Sequence, residues 1–208
     1  MKDVNELLEY EKKELLKGNT LIAGVDEVGR GPLAGPVVTA AVIMDLDNLI
    51  DGVDDSKKLS EKKREMLYDE ILKRAKAVQI CEADNNVIDQ INILEATKKC
   101  MANSILNLEI KPEVVLVDAV KLEGLGDIKQ EAIIKGDSKS YNIACASIVA
   151  KVYRDRLMAS LDDRYPGYNF KKHKGYGTKE HILAIKEIGP CEIHRKSFIK
   201  NFVGENNV

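Results

Sequence analysis

The sequence has no apolar run that approaches the ~20 residues a membrane-spanning helix needs. Its opening stretch, MKDVNELLEYEKKELLKGNT, carries no apolar core of the kind a secretory leader has, so the chain is expected to stay in the cytoplasm. Cysteine is sparse and scattered. Cys81, Cys100, Cys145 and Cys191 include no C-x-x-C pair, which argues against a zinc site or a disulfide frame and for reduced thiols. His173, His181 and His194 are not at ligand spacing and read as surface or phosphate-contacting groups. Ser138, Ser140 and Ser147 have no His or Asp partner at triad spacing, so capping or packing is their expected work. No repeat or low-complexity tract is present.

What is present is the composition of a folded domain. The chain has 208 residues, 44% hydrophobic and 32% charged, enough for one full domain with an appended piece. A net charge of −2 argues against a protein that coats nucleic acid indiscriminately, but the charge is unevenly spread. Residues 164–200 hold nine Lys or Arg against three acids, a local +6 that leaves −8 for the remainder. Such asymmetry points to a polyanion at one face, with a solvated surface as the plainer alternative.

Residues 4–17 place Val4, Leu7, Leu8 and Leu15 near helical spacing and stop at Gly18-Asn19, which predicts a helix ahead of the main fold. Residues 21–27 and 37–45 read as an antiparallel strand pair joined by the long GRGPLAGP loop. Ser60 caps a helix over 61–76. Residues 77–83 form a third strand, and 87–108 a helix that ends at Lys111-Pro112. VVLVDAV (114–120) is the strongest strand, and EAIIKGD (131–137) is another. Residues 140–161 form a long helix whose small-residue face suits close packing on a sheet. Thr178 caps a last helix that stops at Gly189-Pro190. The order predicts an α/β domain, with a mixed sheet carrying helices on its faces and a helical C-terminal part.

Three acids share one setting. Asp26 closes LIAGVD, Asp118 closes VVLVD and Asp137 closes AIIKGD. Ligands of open α/β sheets bind outside the carboxyl ends of strands, so neighbouring strands would bring these acids together. Converging carboxylates repel unless a cation compensates them, and hard oxygen donors without His or Cys suit Mg²⁺ or Mn²⁺. Two such ions would clamp the attacking and leaving oxygens of a phosphodiester. Glu27 is harder to place, because adjacent strand residues point to opposite faces. Either the strand twists or ends there, or Glu27 reaches from the side. GVDEVGRG lacks the Lys-Ser/Thr of a P-loop, and Gly29-Arg30-Gly31 is better suited to close backbone approach to a bound strand.

Taken in order, GVDEVGRGPLAGPVVTAAV, DDSKKLS, VLVDA, IKGDSKS, ASIVAKVYRDR and HKGYGTKEH resemble the ribonuclease HII family, over about residues 21–200. The resemblance implies an RNase H-like mixed β-sheet flanked by helices. It divides the chain into an added N-terminal helix (1–20), a catalytic core (21–163) and a basic, helical substrate-binding segment (164–208). It implies a metal-dependent endoribonuclease that cuts RNA in RNA–DNA hybrids and nicks duplex DNA 5′ of single embedded ribonucleotides. Two-metal hydrolysis would leave 5′-phosphate and 3′-hydroxyl ends. Asp26, Glu27, Asp118 and Asp137 become the metal-binding carboxylates, with Mn²⁺ or Mg²⁺ as cofactor. Gly29, Arg30 and Gly31 become the loop that reads the 2′-OH, and Tyr176 the aromatic that packs on the junction sugar. Lys57 or Lys58 would touch a phosphate, and the sequence does not choose between them. Asp155, between Arg154 and Arg156, is a rival fourth carboxylate, though a surface ion pair explains it more simply. The enzyme is expected to act as a cytoplasmic monomer with no membrane partner. Its rivals are another nuclease or integrase of the same superfold and a non-catalytic nucleic-acid-binding module.

Overall fold

The computed structural model describes residues 4–201 and 203. Residues 1–3, 202 and 204–208, at the ends of the expected N-terminal extension and C-terminal segment, lie outside the described residues. In chain order the elements are α1 (Glu9–Leu16), β1 (Ile22–Val28), β2 (Val37–Met44), α2 (Glu61–Arg74), β3 (Ala75–Ala83), α3 (Asn85–Ile91), α4 (Ile93–Leu106), β4 (Val114–Asp118), β5 (Lys129–Ile133), α5 (Tyr141–Arg164), α6 (Phe170–His173), α7 (Lys179–Ile188) and α8 (Lys196–Ile199).

The strands form one mixed sheet in the order β3-β2-β1-β4-β5. β1 pairs antiparallel with β2, and β2 with β3, while β1 pairs parallel with β4 and β4 with β5. Its middle is covered on both faces. Val38, Ala40, Val42 and Met44 of β2 pack with α2 and α5, while Ala41 and Ile43 join Ala23, Val25, Val115 and Val117 against α4. Double burial is why these segments read as unbroken apolar runs with no alternation. α5 lies very close to β1: a Cβ on Gly24 would come within 2.2 Å of the Asn142 carbonyl carbon, so only glycine fits there. Asn142 also ties the helix to the sheet by accepting from Met44 N at 2.9 Å. No helix of the described residues is long and apolar enough to cross a membrane.

Three elements break or end short of their sequence-based bounds where a residue adopts positive φ. The single helix expected over 87–108 is two, broken at Asn92 (φ 65°). The Asn92 side chain then caps α4 by accepting from Leu94 N and Glu95 N. The strand expected over 114–120 ends at Asp118, because Ala119 turns at φ 57°. The strand expected over 131–137 ends at Ile133, and Lys135 (φ 59°) starts a short 3-10 turn, Gly136–Ser138, that carries Asp137. The N-terminal helix is tied into the core. Leu7 and Leu8 are buried, and buried Glu11 accepts from Ser140 Oγ (2.6 Å) and Asn142 N (3.0 Å) at the start of α5.

Candidate active site

The parallel pairing of β1 and β4 runs from Ile22–Val114 to Val25–Val117 and then stops. Asp26 and Asp118 are the next residue on each strand. They stand side by side where the two central strands part, the place an open sheet offers a ligand. β1 continues two residues further, still paired with β2, so Asp26 lies within the strand and does not close it. Glu27 reaches the same spot on its longer side chain. Asp26, Glu27 and Asp118 each offer a carboxylate oxygen, and the three lie within 4.8 Å of one another. Among the described residues this is the single such group of acidic, His or Cys side chains.

Few bonds within the chain compensate the cluster. Asp26 accepts from Glu27 N (2.7 Å), Asp118 accepts from Gly136 N (2.7 Å), and Arg30 reaches Glu27 at 3.5 Å. All three acids are held above the ordinary carboxylate range. Burial is the main cause, and like charge adds to it: Glu27 and Asp118 act on Asp26, Asp118 on Glu27, and Asp137 on Asp118. Asp137 lies outside the 4.8 Å group but close enough to raise Asp118. Its own partner is Lys57, whose Nζ is 3.3 Å away. Lys58 turns instead to Asp54 and Asp55, at 3.4 and 3.9 Å. The structure thus separates the two lysines, with Lys57 beside the acids and Lys58 off the site.

Gly29, Arg30 and Gly31 lead out of β1 next to Glu27. Gly29 needs its φ of 92°, and a Cβ there would strike the Arg154 side chain at 2.3 Å. Gly31 faces Tyr176: a Cβ would lie 3.7 Å from Tyr176 Cε1. Tyr176 is 41% exposed, so it can meet a bound molecule. Its backbone is held by His173 O, 2.9 Å from Tyr176 N, and by His181 Nδ1, 2.9 Å from Tyr176 O.

Other expectations change. Asp155 is buried and paired with Lys151 (2.7 Å) and more loosely with Arg64 (4.0 Å), an ion pair but not a surface one. The three histidines are not surface groups. They are buried together, His173 stacked on His181 and His181 Nε2 3.0 Å from His194 Nε2. Burial lowers His181 and His194 to about 4. The basic stretch is also less available than its charge suggests. Arg195 is fully buried, Lys172 pairs with Glu180 (2.8 Å) and Arg164 with Glu192 (3.4 Å). Ser140 caps α5 and Ser147 meets Ser56 at 2.7 Å, capping and packing roles. Sequence reasoning missed Arg154 and Arg195 as organisers of the Gly-rich loop. One signal was there: Arg154 follows Ala146 and Ala150 at four-residue steps on the small-residue face of α5, so it had to point into the protein.

A mixed sheet in this order, with acids leading from its two central parallel strands, defines a nuclease of the RNase H-like fold. Solved structures share it. The ribonuclease H2 of Pyrococcus horikoshii OT3 is 27% identical, with a TM-score of 0.72 over 85% of this chain and 92% of that one. The RNase HII of a PCNA complex from Archaeoglobus fulgidus is 30% identical, with a TM-score of 0.75 over 89% of this chain and 98% of that one. The family model described as Ribonuclease HII matches residues 23–201. A Ribonuclease HII of Caldicellulosiruptor bescii is 57% identical over 94% of each chain, and one of Acetivibrio thermocellus 53% identical over 97% of this chain and 80% of that one. The chain belongs to the ribonuclease HII family. It is an endoribonuclease acting on RNA–DNA hybrids and depends on a divalent metal ion.

Proposed function

We propose that Asp26, Glu27 and Asp118, with Asp137 beside them, hold the divalent ions, Mg²⁺ or Mn²⁺, at which the RNA strand is cut. The carrying observation is the convergence of three carboxylates that the protein itself leaves undercompensated. The donor set fits: all ligands are hard oxygens, and the nearest cations, Lys57 and Arg30, have side chains 78% and 45% exposed. When bound, the ions supply Lewis acidity and charge neutralisation for attack of water on the phosphorus. The chain's own part is to fix the acids before substrate arrives. Gly136 N holds Asp118, Glu27 N holds Asp26, and Lys57 steadies Asp137 until a phosphate competes for it. In-line attack by water leaves the 2′-OH unused as a nucleophile, so the products carry 5′-phosphate and 3′-hydroxyl ends.

The 2′-OH is instead what is recognised. Gly29 and Gly31 let backbone approach the sugar, Arg30 contacts a phosphate, and Tyr176 packs on the next sugar. That arrangement would support nicking 5′ of a single ribonucleotide in duplex DNA. On this reading residues 1–20 form an extension, 21–163 the catalytic core, and 164–208 a segment that adds phosphate contacts through Lys171 and Lys174. The complete acid cluster within one chain supports action as a monomer, and four free cysteines support a cytoplasmic setting. The test pairs calorimetric titration with Mg²⁺ and Mn²⁺ with cleavage of a labelled duplex holding one ribonucleotide. Wild type should bind metal and nick 5′ of the ribonucleotide. A folded Asp26→Asn that binds metal and cuts as wild type would remove the assignment.

A further inference from the structure

The loop between β1 and β2, residues 29–36, is built on two arginines with no exposed surface. Arg154, on α5, donates to Pro36 O (2.9 Å), Ala34 O (3.2 Å) and Lys174 O (2.9 Å). Arg195, just before α8, donates to Gly29 O (2.6 Å), Arg30 O (2.9 Å) and Gly35 O (3.0 and 2.8 Å). Neither makes an ion pair among the described residues; their hydrogen bonds go to backbone carbonyls, and Arg195 also lies over the Phe198 ring, 5.2 Å from its centre. Burial lowers them to about 10 and about 9, so both keep their charge at neutral pH. A buried cation without a counter-ion is costly, and an apolar side chain would fill the space more cheaply. What an apolar residue cannot do is hold several carbonyls in one plane, which the rigid guanidinium fork does.

Two consequences follow. A trans peptide points its C=O and the next N–H in opposite directions. With Gly29 O and Arg30 O turned onto Arg195, the N–H groups of Arg30 and Gly31 must point away from it. Arg195 therefore aims the donors offered to a bound strand. Arg154 sets a second relation, because Ala34 and Pro36 belong to the Gly-rich loop and Lys174 lies two residues before Tyr176. The two segments also touch directly: Leu33 N donates to Gly175 O (2.8 Å), and a Cβ on Gly175 would come within 2.6 Å of Ala34 O.

We propose that Arg154 and Arg195 are positioning residues which lock the Gly29–Gly31 backbone and Tyr176 at one fixed spacing, and so set selectivity for an isolated ribonucleotide. This rests on the reading of those two segments as the parts that recognise the ribonucleotide and its junction. A single ribonucleotide must satisfy both at once, whereas in a long hybrid any of many ribonucleotides can be cut, and exact spacing matters less.

The test uses Arg154→Lys and Arg195→Lys, which keep the charge and lose the fork. For each, kcat/KM is measured on a duplex with one ribonucleotide and on a long RNA–DNA hybrid, alongside the thermal midpoint and calorimetric Mn²⁺ affinity. Expected are Mn²⁺ affinity within about twofold of wild type, a loss of tenfold or more on the single-ribonucleotide duplex, and a loss at least threefold smaller on the hybrid. A merely structural role would slow both substrates by one factor, and that result, or no change, overturns the proposal. If a lysine variant does not fold, Gly177→Ala perturbs the same spacing, since its methyl would meet Leu33 Cδ1 at 3.3 Å and Cγ at 3.4 Å and press the two segments apart by a few tenths of an ångström. An unchanged substrate ratio in that variant also overturns it. Tyr176→Ala, run in parallel, separates the two readings. If it leaves the ratio unchanged, the assignment of Tyr176 fails. If it shifts the ratio while the arginine variants do not, only the positioning proposal fails.

Discussion

The acid cluster and the arginine pair stand on either side of the same loop and treat buried charge in opposite ways. Asp26, Glu27 and Asp118 crowd together with few partners, and each is pushed toward its neutral form. Arg154 and Arg195 are more deeply buried yet make seven hydrogen bonds to carbonyls, three and four respectively. The first region is electrostatically unfinished, and on the proposed reading it takes a cation from solution. The second is complete and needs nothing further. Charge left open marks where a ligand goes, and charge closed by the backbone marks the frame that holds the site.

The contrast breaks most visibly if the open charge is not needed. Asp118→Asn keeps the oxygen that accepts from Gly136 N, so the fold should survive while metal binding is lost. Activity should fall by about 10³-fold or more, the equivalent of roughly 4 kcal/mol of barrier. Near wild-type cleavage in Mg²⁺ by a folded variant would sink the role. Asp137→Asn should cost less, since Asp137 stands outside the tight group. Asp155→Asn should leave kcat near wild type and lower the thermal midpoint, because its work is the pair with Lys151.

A smaller effect is expected at Tyr176, on the rim between the two regions. Tyr176→Ala should lose about tenfold more activity on a single-ribonucleotide duplex than on a long hybrid, with circular dichroism confirming the fold. Equal slowing would mean that the ring does not sense the junction sugar. Smaller again is the distinction between the two lysines. Lys57→Ala should raise KM several-fold, and Lys58→Ala should change it little, since Lys58 is committed to Asp54 and Asp55. The reverse order would place the phosphate contact on the wrong lysine.

A separate effect, on stability and not on activity, concerns the buried histidines under acid. His181 and His194 are neutral in the fold and titrate near 4, below the 6.5 of a free imidazole. The unfolded chain therefore binds more protons between those values. Their contribution to stability is complete above about pH 6.5 and is lost as pH falls toward 4, up to about 3 kcal/mol for each histidine. Proton NMR of the ring signals should show both midpoints near 4. Midpoints near 6.5 would show that these rings are accessible to water when folded.

Much of this was legible in the chain. Unbroken apolar runs located β1, β2 and β4, and the acids following Val25 and Val117 pointed to the place where the sheet opens. The small-residue face of α5 foretold its close seat over Gly24. What escaped was decided by single backbone angles or by long-range partners. Nothing local in EAIIKGD says that Lys135 turns at positive φ, so Asp137 looked like a strand residue. Nothing near Asp26 says that Glu27 can reach the same point, because that depends on β1 running past the end of its pairing with β4. The histidines and Arg195 looked solvated because their charge and polarity are local facts, while their partners lie on other segments.

Glu11 carries a consequence in time. Its carboxylate is buried against Ser140, 129 residues further along the chain, and Asn142 supplies the next bond. During synthesis α1 is made before any strand, and the groups that satisfy Glu11 follow 129 and 131 residues later. At about 5–20 residues per second, this interval is roughly 6–26 seconds. Through that wait the carboxylate has no reason to leave water, and α1 has no seat. A segment made before every strand thus locks only after all of them, and its closure over the start of α5 marks the moment when the whole sheet already exists.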